Sequence, residues 1–150
     1  MGIEGDYEPS TWGWVSDQVA KYEASGGTEA NTLMDTGIPI IVTTMMGHKT
    51  GKVRKVPLMR VEHDGEYALI ASKGGAPSHP GWYFNLLEAD EIELQDGPVP
   101  GVYTIREVDG DERAEWYARG EAVYPPYTDY AVSATEAGRT IPVFIASPKH

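Results

Sequence analysis

Between Pro39 and Lys73 three apolar, β-branched runs follow one another with too little chain between them for anything but hairpins. PIIVTTMM (39–46) and VRKVPLMRVEH (53–63) flank the turn GHKTGK (47–52), and EYALIASK (66–73) follows directly after Asp64-Gly65. Asp-Gly supplies the positive φ angles of a two-residue hairpin turn, whereas a parallel pair needs a crossover of about a dozen residues or more. The chain is therefore expected to be built on antiparallel strands, these three in direct succession. Further runs at 91–95, 101–108 and 139–147 bring the expected number of strands to six. Pro142 in the last of them implies an edge position or a bulge, because proline has no N–H for a ladder.

Helices account for much of the rest. Trp12, Val15, Val19 and Tyr22 recur at helical spacing over 10–25, with Ser10 as cap and Gly26-Gly27 as stop. Residues 28–37 have no clear period and read as a loop. GGAPSHPG (74–81) is too rich in glycine and proline for regular structure, and Trp82, Tyr83, Leu86 and Leu87 then mark a short helix ending near Asp90. A helix from Asp111 to about Val123 has good formers and an acidic first turn, and Pro125-Pro126 end it. The expected architecture is α+β: a six-stranded antiparallel sheet with flanking helices, in a single domain with an N-terminal helix and loop (1–37) and a sheet-forming part (38–150). Closing the sheet into a barrel would remove its edges.

Twelve basic and 23 acidic residues give a net charge of −11, a surface that repels nucleic acid. The cations are not spread evenly. Lys49, Lys52, Arg54, Lys55, Arg60 and Lys73 fall within 25 positions, against Glu62, Asp64 and Glu66, which makes this segment net +3. A solvated strand pair and an anion-binding cleft both account for such a strip. The chain has no cysteine, which removes thiolate nucleophiles and thiolate-ligated metals. His48, His63, His79 and His150 show no metal-ligand spacing, so no metal site is expected. No run approaches the roughly 18 apolar residues of a membrane span and the N-terminus lacks the build of a signal peptide, so a soluble cytoplasmic protein is expected.

GHKTGK fails as a phosphate-binding P-loop, with three residues between its glycines and strands on both sides. Its backbone N–H groups with Lys49, Thr50 and Lys52 nonetheless suit an oxyanion, the alternative being a lysine-decorated turn. Ser72-Lys73-Gly74-Gly75 ends the 66–73 strand with a hydroxyl, a cation and two residues that let backbone approach a ligand. Through pairing with the 53–63 strand, Lys73 would join the same patch. Tyr124, Tyr127 and Tyr130 are spaced by three around YPPYTDY, which fits either a core stripe or rings held over a pocket by the Pro-Pro turn.

Four blocks, GHKTGKVRKVPL, ALIASKGGAPSHPGWYFNL, YPPYTDY and RTIPVFIASP, stand in an order and spacing that resembles the deazaflavin-dependent nitroreductase family over about residues 38–148. The resemblance implies a split β-barrel like those of flavin reductases and pyridoxine-phosphate oxidases. It also implies hydride transfer from reduced coenzyme F420 (8-hydroxy-5-deazaflavin) to an electrophilic acceptor such as a quinone, an enone or lactone, or a nitroaromatic. By the same resemblance His48, Lys49, Thr50, Arg54 and Lys55 hold the coenzyme's phosphate and oligoglutamate tail. Val56, Pro57, Leu58, Met59, Ile70, Ala71, Ser72 and Lys73 surround its ring, and Gly81, Trp82, Tyr83, Phe84 and Asn85 line the same cleft. Tyr124, Tyr127 and Tyr130 close the acceptor side with Met59, and Ser72 or Tyr127 delivers the proton. His48 stands where the family usually carries arginine, and Met59 where some members place an aromatic. A short acidic N-terminal helix gives no support to membrane association, and a monomer or a homodimer fits equally. A flavin-mononucleotide reductase of the same fold and a non-catalytic deazaflavin carrier are the alternatives.

Overall fold

The strand expected over 53–63 breaks in two, and the break is what curls the sheet. In a computed structural model, which describes residues 3, 5–33 and 36–149, the segment forms β2 (Val53–Met59) and β3 (Glu62–His63). The other strands are β1 (Ile40–Met46), β4 (Glu66–Ile70), β5 (Glu91–Gln95), β6 (Pro100–Val108) and β7 (Val143–Pro148), in the order β2-β1-β5-β6-β7-β4-β3 with every neighbouring pair antiparallel. The first and last strands of the sheet are thus consecutive pieces of one segment, joined by Arg60 and Val61. Arg60 N–H donates to the Pro39 carbonyl (3.0 Å) on one side of this seam, and the Val61 carbonyl accepts from Ala68 N–H (2.9 Å) on the other.

The class is the α+β antiparallel fold expected, its sheet curled into a half-barrel, with seven strands where six were expected because of the break. The direct succession of three paired strands holds only for its hairpins. β1 pairs on its second side with β5, and β4 pairs with β7 and β3, not β2. Asp64 (φ 52°) and Gly65 (φ 82°) make the expected turn between β3 and β4. Pro142 marks no edge: it precedes β7, which lies between β6 and β4, and its carbonyl accepts from Ala71 N–H (3.0 Å).

Alternation along the inner strands distributes the core. Tyr67 and Leu69 of β4 and Phe144 and Ala146 of β7 join Ile41, Met45, Ile92 and Leu94 on one face, capped by Leu86 of α2 (Gly81–Leu87). Ala68, Ile70, Val143 and Ile145 point the other way, onto Trp116 and Tyr117 of α3 (Gly110–Val123) and Tyr127 and Ala134 of α4 (Pro126–Glu136). Burial of each of the larger aliphatic and phenylalanine side chains among these stabilises by about 1.5–3 kcal/mol. The prolines that end α3 also begin α4, with Pro126 at its start, where a missing N–H costs nothing. That second helix was not expected.

α1 (Gly13–Ser25) starts three residues later than expected, because Ser10 Oγ accepts from Trp12 N–H ahead of the helix. Val19 and Tyr22 pack on Ile40 and Val42, and Gly26 ends the helix in the left-handed region (φ 64°). Tyr22, 2% exposed, donates its hydroxyl to the Gln95 carbonyl (3.2 Å) and accepts from Gly97 N–H (2.8 Å). Tyr22→Phe strands that carbonyl and amide, and a loss of about 1–2 kcal/mol in urea unfolding is expected. Residues 34 and 35 of the 28–37 loop, and His150, lie outside the described residues. Among the described residues no helix is long and apolar enough to cross a membrane.

Candidate active site

Where the N-terminal segment, the 47–52 turn, β2, the loop after β4 and the start of α2 meet, a cavity of about 720 Å³ opens. Along β2 its lining changes from cationic to apolar: His48, Lys49, Thr50, Arg54 and Lys55 are followed by Val56, Pro57, Leu58 and Met59. Ile70, Ser72, Lys73, Gly81, Trp82, Asn85 and Tyr127 complete the expected members. Ala71, Tyr83, Phe84, Tyr124 and Tyr130 do not line it. Glu8, Ser10, Trp12, Trp14 and Val15, which carried no expectation for the site, do.

The turn is held from both ends. Gly47 N–H donates to the Lys52 carbonyl (2.7 Å) and Gly51 N–H to that of Gly47 (2.9 Å), and Gly51 needs its positive φ of 70°. Asn85 of α2 pins the next residue, its Oδ1 accepting from His48 N–H (2.8 Å) and lying 2.6 Å from His48 Nδ1. An amide oxygen only accepts, so Nδ1 carries a proton and the neutral ring's free lone pair is on Nε2. Helical spacing sends Trp82 and Asn85 to the cavity and Tyr83 and Phe84 elsewhere. Tyr83 packs against the His79 ring (4.4 Å) and Phe144 (5.7 Å), and Phe84 against the His48 ring (5.7 Å).

The loop after β4 owes its shape to a residue the sequence reading passed over. Arg139, 7% exposed, donates to the carbonyls of Ala71, Ser72 (3.0 Å) and Ala76 (2.7 Å) and to His79 Nδ1 (2.8 Å). Burial depresses its own basicity, and burial with the neighbouring guanidinium keeps His79 below the usual imidazole range. This clamp buries Ala71 and leaves Ser72 and Lys73 on the cavity wall. Lys73 (φ 47°), Gly74 (φ 63°) and Gly75 (φ 78°) take successive left-handed conformations, and Lys73 Nζ reaches Ser78 Oγ (3.2 Å).

Of the basic strip, Arg60 is not part of the site: it pairs with Asp96 (2.8 Å), which also accepts from Tyr67 Oη (2.6 Å). Arg54 pairs with Glu8 (3.1 Å), and Lys55 pairs with Glu23 and lies over the Tyr7 ring. Lys49 carries no ion pair among the described residues. Tyr127 is 6% exposed, and burial, reinforced by the phenols of Tyr117, Tyr124 and Tyr130, raises its pKa well above the ordinary value. It is a neutral hydrogen-bonding group at physiological pH. Tyr124 and Tyr130 bond to each other (3.1 Å), which, with burial, pushes Tyr130 up to about 12.

The chain resembles known proteins over most of its length. Residues 14–148 match the model of the F420H(2)-dependent quinone reductase family. The F420H(2)-dependent quinone reductase Rv1261c of Mycobacterium tuberculosis is 32% identical over 110 residues, 71% of this chain and 72% of that protein. Among solved structures, an F420-H2 dependent reductase (FDR-A) is 46% identical with a TM-score of 0.67, spanning 73% of this chain and 94% of that one. A structure described as a domain-swapped dimer is 42% identical with a TM-score of 0.69, spanning 92% and 100%. With a family match over nearly the whole chain, relatives that agree with it and a half-barrel that places a cationic and an apolar surface in one cavity, the chain belongs to the F420H(2)-dependent quinone reductase family, oxidoreductases that use reduced coenzyme F420.

Proposed function

We propose that this protein is a cytoplasmic enzyme that passes a hydride from reduced coenzyme F420 to a flat electrophilic acceptor, with quinones the foremost class and enones and nitroaromatics as further substrates. The observation that carries this reading is the change of lining along β2, cations beside the 47–52 turn and apolar side chains toward Met59, within one cavity. A coenzyme with an aromatic ring and an anionic tail needs both surfaces, and about 720 Å³ is within the ordinary range of ligand sites.

The coenzyme, when bound, supplies the hydride. Lys49, Thr50 and Arg54 bind the phosphate and tail by charge-assisted hydrogen bonds. Pro57, Leu58, Ile70 and Trp82 orient the ring and exclude water from it. Ser72 or Tyr127 positions the donor, a water included, of the proton that must follow the hydride to the acceptor. Because the Tyr127 phenol is held well above its usual pKa, its part is to donate a hydrogen bond to the accumulating negative charge, not to exist as phenolate. Tyr124 and Tyr130 lie outside the lining and support Tyr127 from behind, its ring 5.1 Å from Tyr124 and 6.1 Å from Tyr130. A homodimer is the proposed assembly, supported by the 42% identical relative described as a domain-swapped dimer.

The test is anaerobic titration of reduced coenzyme with a soluble benzoquinone. Saturable oxidation that flavin mononucleotide does not inhibit is expected, and Lys49→Ala and Arg54→Ala should each weaken coenzyme binding about tenfold, the loss of one hydrogen bond to a charged group. Unchanged affinity in both variants would sink the tail assignment. Tight binding without turnover of a quinone, an enone or a nitroaromatic would make the protein a carrier.

A further inference from the structure

The seat assigned to the coenzyme's anionic tail is taken by a carboxylate of the chain itself. Glu8 Oε1 accepts from Arg54 Nη1 (3.1 Å) and from Thr50 Oγ1 (3.3 Å), the same two side chains. Glu8 lines the cavity with them. The contact is built into the backbone. Val53 N–H donates to the Asp6 carbonyl (2.7 Å), Glu8 N–H donates to the Val53 carbonyl (2.8 Å), and Tyr7 forms a parallel bridge with Val53. Residues 6–8 thereby pair with the otherwise open side of β2, the first strand of the sheet order. With its main chain fixed in this way, Glu8 can leave Arg54 by turning its side chain alone. Arg54 and Glu8 are 35% and 36% exposed, so the pair is a weak one that a better anion can displace.

We propose that Glu8 is an internal competitor for the anionic part of the coenzyme: a carboxylate that occupies the Arg54–Thr50 seat in the free protein, must give it up when the coenzyme binds, and so sets the affinity of anionic ligands. The glutamates of the coenzyme tail bear the same chemical group as Glu8, and its phosphate bears more charge, so the tailed coenzyme displaces Glu8 where a neutral ring compound does not. A ligand with no anion gains nothing from the seat and leaves Glu8 on it. The proposal rests on the coenzyme reading above.

The test compares the affinities of oxidised coenzyme F420 and of its phosphate-free deazaflavin nucleoside for the wild-type protein, Glu8→Gln, Arg54→Ala and the double variant. Glu8→Gln should tighten the coenzyme about two- to fivefold, the span of an exposed ion pair, and leave the nucleoside unchanged. On the Arg54→Ala background the tightening should largely disappear, because Arg54 is the charged part of the seat and Thr50 alone holds Glu8 by a single neutral donor. Unchanged or weaker coenzyme binding by Glu8→Gln, equal tightening of both ligands, or an undiminished effect without Arg54 would each overturn the proposal while leaving the coenzyme reading intact. No saturable coenzyme binding by the wild-type protein would overturn that reading and the role of Glu8 with it.

Discussion

Arg139→Ala should cost about 3–5 kcal/mol in urea unfolding and weaken coenzyme binding at least tenfold. The guanidinium donates to three main-chain carbonyls and one imidazole nitrogen, all on the 71–79 loop. The buried Ala71 carbonyl left without a donor costs about 1–3 kcal/mol, and the three partly buried acceptors lose less because water replaces part of each bond. The expected total lies below the sum of four such losses, because removing a buried cation also relieves its desolvation, the effect that depresses its basicity in the native protein. The loop then loses the geometry that sets Ser72 and Lys73 on the cavity wall. Arg139→Lys keeps the charge but not the planar fork, so it should recover only part of either loss. A variant as stable as the wild type, with unchanged coenzyme affinity, would show that the loop holds its shape without Arg139.

Gly75→Ala is the second large effect expected, about 2–4 kcal/mol with a fall in turnover. Gly75 has a φ of 78°, where an L side chain is strained by about 1–2 kcal/mol. A Cβ there would lie 2.7 Å from the Tyr130 carbonyl oxygen and 2.9 Å from its Cα, so backbone, not a mobile side-chain tip, must yield. The helix that yields is α4, which carries Tyr127 into the cavity lining. Gly74→Ala makes the informative contrast. Its φ of 63° is similarly strained, but no atom lies within 4 Å of the added carbon. The excess loss at Gly75, read by thermal unfolding and by turnover of a quinone, measures the contact with α4. Equal losses at the two glycines would mean that backbone strain alone decides.

What could be read in advance follows how local each signal is. The Asp64-Gly65 turn, the glycine stop of α1 and the end of α3 at Pro125-Pro126 are decided within a few residues, and all three stand as expected. The break between β2 and β3 is not local. Met59-Arg60-Val61-Glu62 contains no glycine or proline, and its two hairpin partners, β1 before it and β4 after it, lie toward opposite ends of the sheet order, so only the completed sheet shows where the segment changes partners. Pro126 was legible as a helix breaker and not as the first residue of the next helix, since both uses follow from the same missing N–H. Within the site, the charged and aromatic blocks from His48 to Asn85 could be read because turn and strand carry them into the cavity together. Tyr83 and Phe84 fall away from it through helical period alone. Arg139 was hidden by lying at the head of an apolar run, and its task is set by carbonyls some sixty residues earlier. Glu8, Trp12 and Trp14 reach the cavity only because residues 6–8 pair with β2, a contact that a helical reading beginning at Ser10 does not contain.

The position of β7 in the interior of the sheet, between β6 and β4, has a consequence for how the protein is made. Synthesis proceeds at roughly 5–20 residues per second from the N-terminus, so the β1–β2 hairpin emerges early and can form while the chain is still growing. β4 and β6 emerge too, yet the strand that hydrogen-bonds both of them lies at residues 143–148. Until it leaves the ribosome the sheet exists as two separate pieces, β2-β1-β5-β6 and β4-β3, tethered through Arg60 and Val61 but not zipped together. Completion of the cavity, which draws its walls from β2 in one piece and the loop after β4 in the other, is therefore a late event of biosynthesis.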